Sequence, residues 1–231
     1  MPNTDASARR NSRQILRVIA AEWRSHTATL QRFARPHRAQ DWQAVGDEIP
    51  VSLGRSGLAW GIGLHPLAQA PERRKQEGDG CSPAGIFAIT ALFGEAGPES
   101  AIAQSARLPY RCTGPQLKCI DDTASRYYNR VIDQETVDAV DWRSHEEMLR
   151  DDERYVIGAV IAHNAACLPG QGSCIFLHVW QAAGVPTAGC TAASLADMTE
   201  ICNWLDAACN PLIVQLPEAE YRRRRKAWNL P

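Results

Sequence analysis

The order of apolar and polar positions predicts a chain built mainly from short strands. In the first third of the sequence, apolar and β-branched runs alternate with turns rich in Gly, Pro and charged residues. Strands are expected at 15–20, 28–33, 42–45, 49–53 and 58–64. This density of short strands favours an antiparallel or mixed sheet over repeating strand–helix units.

The second half of the chain contains the segments expected at the centre of the sheet. Strands are expected at 86–92, at 211–216 and, most apolar of all, at 155–161 and 175–180. From Leu195 to Leu205, apolar residues recur at helical spacing. Because Ser194 stands three positions before Asp197, as in a helix N-cap, a helix is expected to follow Ser194 and to run to about residue 206.

The segments outside these elements predict one domain with additions. Residues 14–217 are predicted to form a single β-rich α+β domain, large enough to bury a core. Within it, the polar residues 95–145 are expected to form an inserted cap or loop. Residues 1–13 are expected to be disordered, and the arginine-rich residues 218–231 are expected to form a terminal helix or a basic C-terminal tail.

Composition and charge argue against several classes of protein. The chain has 231 residues, 45% of them apolar and 22% charged, with a formal net charge of −1. These values are ordinary for a globular domain and argue against a general nucleic-acid-binding protein. No apolar run is long enough for a membrane span. The first apolar run is short and contains Arg17, which is too weak for a signal peptide, so a cytoplasmic protein is expected.

The eight cysteines leave two interpretations open. In an exported protein an even number of cysteines is typical of disulfides, whereas in a cytoplasmic protein the thiols stay reduced. A domain of this size does not need disulfides to be stable, so reduced and partly buried thiols are preferred. The alternative is a periplasmic or cell-wall protein from which a signal has been removed.

Residues 173–192 carry the side chains best suited to catalysis. They are predicted to contain a buried strand that ends near His178 and a Gly-containing turn that carries Cys190. A thiol becomes nucleophilic when it loses its proton, and an imidazole can accept that proton near neutral pH. The N–H groups of Gly189 and Cys190 are expected to stabilise an oxyanion. The helix that follows is expected to favour the thiolate through its N-terminal dipole.

A zinc site is the main alternative for the same part of the chain. His163, Cys167, Cys174 and His178 are of residue types that bind zinc. If Cys174 and His178 share one extended strand, their Cα atoms lie about 13 Å apart, which is too far for two ligands of one tetrahedral ion. We therefore expect neither a metal nor another cofactor.

Two segments, taken in order, resemble one known family. Leu177-His178, a short loop and Ala188-Gly189-Cys190 resemble the catalytic motif of YkuD-type L,D-transpeptidases. Residues 77–87 resemble the upstream Gly, Ser-Pro and Gly-x-Phe segment of that family, and residues 121–122 and 127–129 resemble one of its subgroups. The resemblance covers roughly residues 14–217. It implies a mixed sheet or sandwich with an inserted cap and a helix after the catalytic cysteine.

The resemblance also implies the catalytic roles. Cys190 would attack an amide carbonyl, His178 would accept the thiol proton, and the main-chain carbonyl of Val179 would orient the imidazole. The substrate would be a peptidoglycan stem peptide, cleaved before its terminal D-Ala. The oligomeric state is left open.

Three further residues are candidates for binding substrate. Lys75 lies in a charged loop that the resemblance places near the cleft, where it could pair with a carboxylate; a solvated surface charge is the alternative. His163, near the end of a predicted central strand, either lines the cleft or belongs to the core. Thr187 either contacts substrate or stabilises the turn before Cys190.

Three functions follow from these observations. The preferred one is a cytoplasmic L,D-carboxypeptidase that removes D-Ala from muropeptides during peptidoglycan recycling. An exported L,D-transpeptidase that cross-links peptidoglycan is the second. A non-catalytic peptidoglycan-binding module is the third, because Ala188 and Ala192 stand where many members of the family carry basic residues.

Overall fold

The computed structural model describes residues 4–66 and 73–231, and within them the chain is β-rich with a few short helices. Its strands are β1 (Gln14–Ala20), β2 (Thr27–Ala34), β3 (Gln43–Ser52), β4 (Leu58–Trp60), β5 (Ser82–Gly94), β6 (Tyr110–Cys112), β7 (Leu117–Cys119), β8 (Val131–Asp133), β9 (Glu146–Glu147), β10 (Ile157–Ile161), β11 (Phe176–Val179), β12 (Thr191–Ala193) and β13 (Leu212–Pro217). Its α-helices are α1 (Thr4–Asn11), α2 (Ala101–Ser105), α3 (Leu195–Trp204) and α4 (Glu218–Trp228). The predicted β-rich α+β class is confirmed. None of the described helices combines the length and apolar character that a bilayer span requires.

Eight of the strands form a closed sheet. Their order is β10-β11-β12-β3-β2-β1-β13-β5, and β5 pairs with β10 to complete the ring. The pairs β1–β13 and β11–β12 are parallel, and the other pairs of the ring are antiparallel. The expected mixed sheet is therefore confirmed, and closure removes the exposed edges that an open sheet would present.

One long strand replaces two predicted strands near the N-terminus. The segments 42–45 and 49–53 belong to the single strand β3, whose register against β2 shifts between them. Gly46 permits the irregularity, because its φ of 67° lies in the left-handed region. A Cβ at this position would lie 2.3 Å from Arg32 Nη2. The strand prediction failed because Gly46 was taken as the end of a strand.

A second strand ends earlier than predicted. The segment 58–64 was expected to be extended throughout, but β4 ends at Trp60. Gly63 then passes so close to β5 that a Cβ there would lie 2.3 Å from the Ile86 carbonyl oxygen. This close approach is incompatible with a regular ladder of side chains.

Helix α3 begins where the sequence predicts. Ser194 is its N-cap, and the Ser194 hydroxyl accepts a hydrogen bond from the Asp197 N–H at 3.1 Å. The helix packs against β10 and β11 and buries Met198, Ile201 and Cys202. The capping pattern and the apolar spacing therefore placed this helix correctly.

The structure corrects the expectation for residues 1–13 and decides between the two for residues 218–231. Residues 4–11 form α1 rather than a disordered segment, while residues 1–3 lie outside the described part. The Arg35 side chain donates hydrogen bonds to the carbonyls of Ser12 (2.9 Å) and Arg10 (3.1 Å), which fixes the end of α1. Of the two alternatives for residues 218–231, the helix is the one observed: α4 covers most of them, and its Tyr221 and Trp228 are buried against the sheet.

Residues 95–145, predicted to form a cap or loop, contribute two strands to a separate small sheet. Strands β8, β7 and β9 form a three-stranded sheet with β7 in the middle, while β6 pairs with β5 of the closed sheet. A disulfide joins Cys119 of β7 to Cys174, two residues before β11. The preference for uniformly reduced cysteines is therefore wrong for this pair, although the other six cysteines are free.

The lowered pKa values of three buried histidines predict that the folded state loses stability in mild acid. Burial lowers the pKa of His65, of His163 and of His178 to about 4. The unfolded chain binds these protons at about pH 6.5 and the folded chain only near pH 4, so stability falls as the pH falls through this window. Each shift corresponds to at most about 3 kcal/mol.

We therefore expect urea titrations to give a free energy of unfolding that decreases steadily from pH 7 towards pH 4.5. His163→Gln should lower the difference in bound protons between the unfolded and folded chains by about one, which reduces the slope of stability against pH. The exposed His37 provides the matched control for the substitution itself, because His37→Gln should leave the free energy of unfolding at pH 7 unchanged. A free energy of unfolding that stays constant across this range would contradict the prediction.

Candidate active site

The parallel pairing of β11 with β12 brings His178 and Cys190 together. In this pair Leu177 is opposite Thr191 and His178 is opposite Ala192. Cys190 precedes Ala192 by two residues, so it lies on the same face of the sheet as His178. This diagonal arrangement on neighbouring strands corresponds to about 8 Å between the two Cβ atoms. An imidazole can span much of that distance. Both residues line one cavity of about 230 Å³.

The Cys190 thiol is held by main-chain groups of the segment that leads into β11. The Phe176 N–H donates to Cys190 Sγ at 3.3 Å, and Cys190 Sγ donates to the Cys174 carbonyl at 3.6 Å. Only 8% of Cys190 is exposed. Burial raises the pKa of the Cys190 thiol far above its usual range, and the nearby carboxylate of Glu146 raises it further. The resting group is therefore a neutral thiol.

The expected help from a helix dipole is not present. Helix α3 begins at Leu195, and strand β12 lies between Cys190 and its N-terminus. The dipole effect is confined to the first turn of a helix, so it does not offset the burial of the sulfur. The prediction that the thiolate would be favoured at rest is wrong.

His178 is oriented by the next residue of its own strand. His178 Nδ1 lies 2.8 Å from the carbonyl oxygen of Val179. Because a carbonyl can only accept, Nδ1 carries the hydrogen and Nε2 is left with a free electron pair. The Tyr155 ring packs edge-on against the imidazole, 5.2 Å between centroids. With its pKa lowered to about 4 by burial, His178 is neutral at pH 7 and can accept a proton.

Thr187 organises the turn that carries the thiol. Its hydroxyl donates to the Cys190 carbonyl at 2.6 Å and accepts from the Gly189 N–H at 3.1 Å. The Ser82 hydroxyl also donates to the Cys190 carbonyl, at 2.9 Å. Of the two interpretations of Thr187, the structure shows the turn-stabilising one. It also shows that the Gly189 N–H, expected to face an oxyanion, is bonded to Thr187.

Of the other two candidate binding residues, Lys75 lines the cavity and His163 does not. Lys75 lines the cavity but is buried, and its Nζ contacts Asp79 Oδ1 at 2.6 Å. His163 lies outside this cavity. Its Nδ1 accepts from the Ile62 N–H at 3.3 Å and its Nε2 donates to the Gln171 carbonyl at 2.8 Å. These contacts fit a histidine that anchors a loop.

Sequence reasoning missed the wall of the cavity that residues 146–155 contribute. Tyr155 lies beside both His178 and Cys190, and its hydroxyl donates to Glu146 of β9. The Arg150 guanidinium lies over the Tyr155 ring, 5.3 Å from its centroid. Glu146 and Arg150 belong to a polar region without periodicity, and Tyr155 was assigned to a core strand. No sequence signal marked these residues as neighbours of the thiol.

The described residues give no support to the zinc alternative. Cys174 is bonded to Cys119, so its sulfur is not a free thiolate ligand. Within residues 4–66 and 73–231, no cluster of three or more His, Cys, Asp or Glu side chains is arranged to hold a metal ion.

The site as a whole combines a buried thiol, a neutral imidazole with a free Nε2, and charged side chains of both signs. The basic residues that line the cavity are Arg55, Lys75, Arg150 and Arg154, and the acidic ones are Glu77, Asp121 and Glu146. Comparisons with protein-family models, curated proteins and solved structures give no match for this chain. The case for a function therefore depends on this geometry and on the sequence motifs.

The raised pKa of Cys190 predicts how its alkylation depends on pH. Only a thiolate reacts with iodoacetamide, so the rate at Cys190 should rise about tenfold per pH unit from pH 7 upwards, without a plateau. Peptide mass spectrometry separates this site from Cys112, an exposed free thiol that should react faster at pH 7. A plateau that begins near neutral pH would instead indicate a resting thiolate–imidazolium pair.

Proposed function

We propose that the chain is a cysteine-dependent acyl-transfer enzyme of the YkuD type, with Cys190 as nucleophile and His178 as general base. The observation that carries this proposal is the shared cavity, in which the Cys190 thiol and the His178 imidazole lie on one face of adjacent strands. The contact from His178 Nδ1 to the Val179 carbonyl supports it further, because it directs the basic nitrogen away from the main chain.

The burial of the pair determines the order of the proton transfer. Both groups are neutral at rest, so His178 Nε2 takes the proton of Cys190 as the sulfur attacks the carbonyl carbon of the substrate. The Phe176 N–H is already directed at the sulfur and stabilises the partial charge that it carries while its proton leaves. The full negative charge then passes to the carbonyl oxygen of the substrate. His178 then returns the proton to the leaving amine, and an acyl-enzyme thioester remains.

The lining of the cavity suits a peptide that carries both carboxylates and an amine. Arg150 and Arg154 line the cavity from the segment between β9 and β10, and the exposed Arg55 lines it from the segment between β3 and β4. Glu77 and Asp121 line the same cavity and supply negative charge. A peptidoglycan stem peptide has this mixture of charges. The proposed substrate is therefore a stem tetrapeptide, cleaved before its terminal D-Ala.

Hydrolysis is the reaction that the size of the cavity favours. A volume of about 230 Å³ has room for the end of one peptide, and typical ligand sites of about 300–1,000 Å³ are larger. Water as acceptor needs no second peptide in the cavity. We therefore retain the L,D-carboxypeptidase as the first candidate.

The disulfide favours a second candidate. Disulfides persist mainly in oxidising compartments, where mature peptidoglycan also lies. The Cys119–Cys174 bond therefore supports an exported L,D-transpeptidase, in which an amine of another stem peptide takes the place of water. A binding module without turnover is disfavoured, because such a module requires neither a thiol nor an oriented imidazole.

Incubation with a muropeptide tetrapeptide tests the nucleophile and the base. The wild-type chain should release free D-Ala, detected by mass spectrometry. Cys190→Ala should lose activity altogether, and His178→Gln should lower kcat by about 10²–10⁴ while the fold is retained. Cys112→Ser, at an exposed free cysteine, should leave turnover unchanged. Full activity in Cys190→Ala would overturn the assignment.

The products identify the acceptor. With tetrapeptide alone, tripeptide and D-Ala indicate hydrolysis, whereas cross-linked dimers indicate transpeptidation. Addition of a D-amino acid at millimolar concentration provides a competing amine. We expect the tripeptide to remain the main product under these conditions. Predominant exchange of the terminal residue would establish the transpeptidase instead.

A further inference from the structure

Three cysteines from distant parts of the chain pack in one buried cluster: Cys119, Cys174 and Cys190. We infer that the Cys119–Cys174 disulfide and Asn129, both anchored in the cap, position the Cys190 nucleophile, and that reduction of the disulfide by a dithiol lowers turnover. This inference rests on the proposed role of Cys190. It assigns a functional task to the cap, which the catalytic motifs do not include.

Cys174 is restrained on three sides. Its side chain is bonded to Cys119 of β7, its N–H donates to Asn129 Oδ1 at 2.9 Å, and its carbonyl accepts from Cys190 Sγ at 3.6 Å. Its φ of 53° lies in the left-handed region, which non-glycine residues seldom occupy. Such a conformation persists where the surroundings enforce it, and here the cap provides two of the three restraints.

Asn129 holds the loop that leads to Cys174. Its Nδ2 donates to the carbonyls of His163 and Asn164, each at 2.9 Å. Asn164 in turn donates from its own Nδ2 to the carbonyl of Gly172 at 3.1 Å. One cap side chain therefore fixes both the beginning and the end of the segment between β10 and β11.

A shift of Cys174 would disturb both hydrogen-bond partners of the thiol. The acceptor of the thiol is the Cys174 carbonyl, and its donor is the N–H of Phe176, two residues later. Cys119 also pairs with Glu146 across β7 and β9, so the same disulfide holds the wall that contacts Tyr155. Misplacement of a reacting group by about 1 Å can cost up to about 10² in rate.

The disulfide is buried but borders a cavity, and its reduction balances. Cys119 and Cys174 both line a second cavity, of about 520 Å³, between the cap and the closed sheet. A dithiol breaks the sulfur–sulfur bond by supplying two electrons and two protons and becomes a cyclic disulfide itself. Cys119 and Cys174 become thiols, so the number of free thiols rises from six to eight.

The test compares the oxidised wild type with the dithiothreitol-reduced wild type and with Cys119→Ser and Asn129→Gly. Asn129→Gly tolerates the φ of 59° at this position and keeps the disulfide, while it removes the side-chain hydrogen bonds. Cys112→Ser is the control, because Cys112 is a free cysteine of the cap region. The measurements are tetrapeptide turnover and the rate of iodoacetamide alkylation at each cysteine, resolved by peptide mass spectrometry.

We expect each of the three perturbed proteins to show a kcat lower by about tenfold or more, with KM changed less. Cys190 should be alkylated several times faster, with an altered pH profile, because its partners have moved. Cys202, on the buried face of α3, reports on global unfolding and should stay unlabelled. The Cys112→Ser protein should match the wild type in both measurements.

The experiment distinguishes failure of the inference from failure of the proposed function. If turnover and Cys190 alkylation are the same before and after reduction, and in Asn129→Gly, the disulfide and Asn129 do not position the thiol and the inference is wrong. If no preparation turns over tetrapeptide but reduction still changes the alkylation profile of Cys190 while Cys202 stays protected, the proposed function fails and the positioning of the sulfur stands.

Discussion

The parallel pairing of β11 with β12 is the constraint on which the candidate site depends. Register decides which side chains share a face, and a shift by one residue would move Cys190 to the opposite face from His178. Parallel neighbours also require a connection that crosses over between them. Here that connection is the loop that ends in the Thr187–Cys190 turn, so the element that links the two strands also carries Cys190.

Burial determines the chemistry of the pair. The same low-polarity surroundings raise the pKa of Cys190 and lower that of His178, so both shifts favour neutral groups. In the proposed mechanism, a neutral pair does not rely on a stored thiolate, and its proton moves only when a substrate carbonyl is present to be attacked. Under that proposal the arrangement limits unwanted reactions of the sulfur, such as oxidation.

Local sequence signals were sufficient where a structure depends on near neighbours. The first strand, Gln14–Ala20, follows from its apolar run, and the start of α3 follows from Ser194 and Asp197. The chemical candidates Cys190 and His178 were identifiable because both lie in one short segment with a glycine before the cysteine.

Long-range features were not predictable from such signals. No repeating pattern in the sequence indicates that the ring closes, that Cys119 is bonded to Cys174 or that Tyr155 contacts Glu146. Cysteine spacing in particular does not determine connectivity. The ionisation state of Cys190 was also mispredicted, because burial is a property of the whole fold and outweighs the influence of a helix that begins five residues later.

The position of β13 between β1 and β5 has a consequence for how the chain acquires its fold. Ile15 of the first strand is paired with Leu212 of the last, and the other edge of β13 is paired with β5. Until residues 212–217 have left the ribosome, β1 and β5 each expose an unpaired edge, which is a template for aggregation. Pairings between strands so far apart in the sequence form slowly. The ring can close only after residues 212–217 have been synthesised.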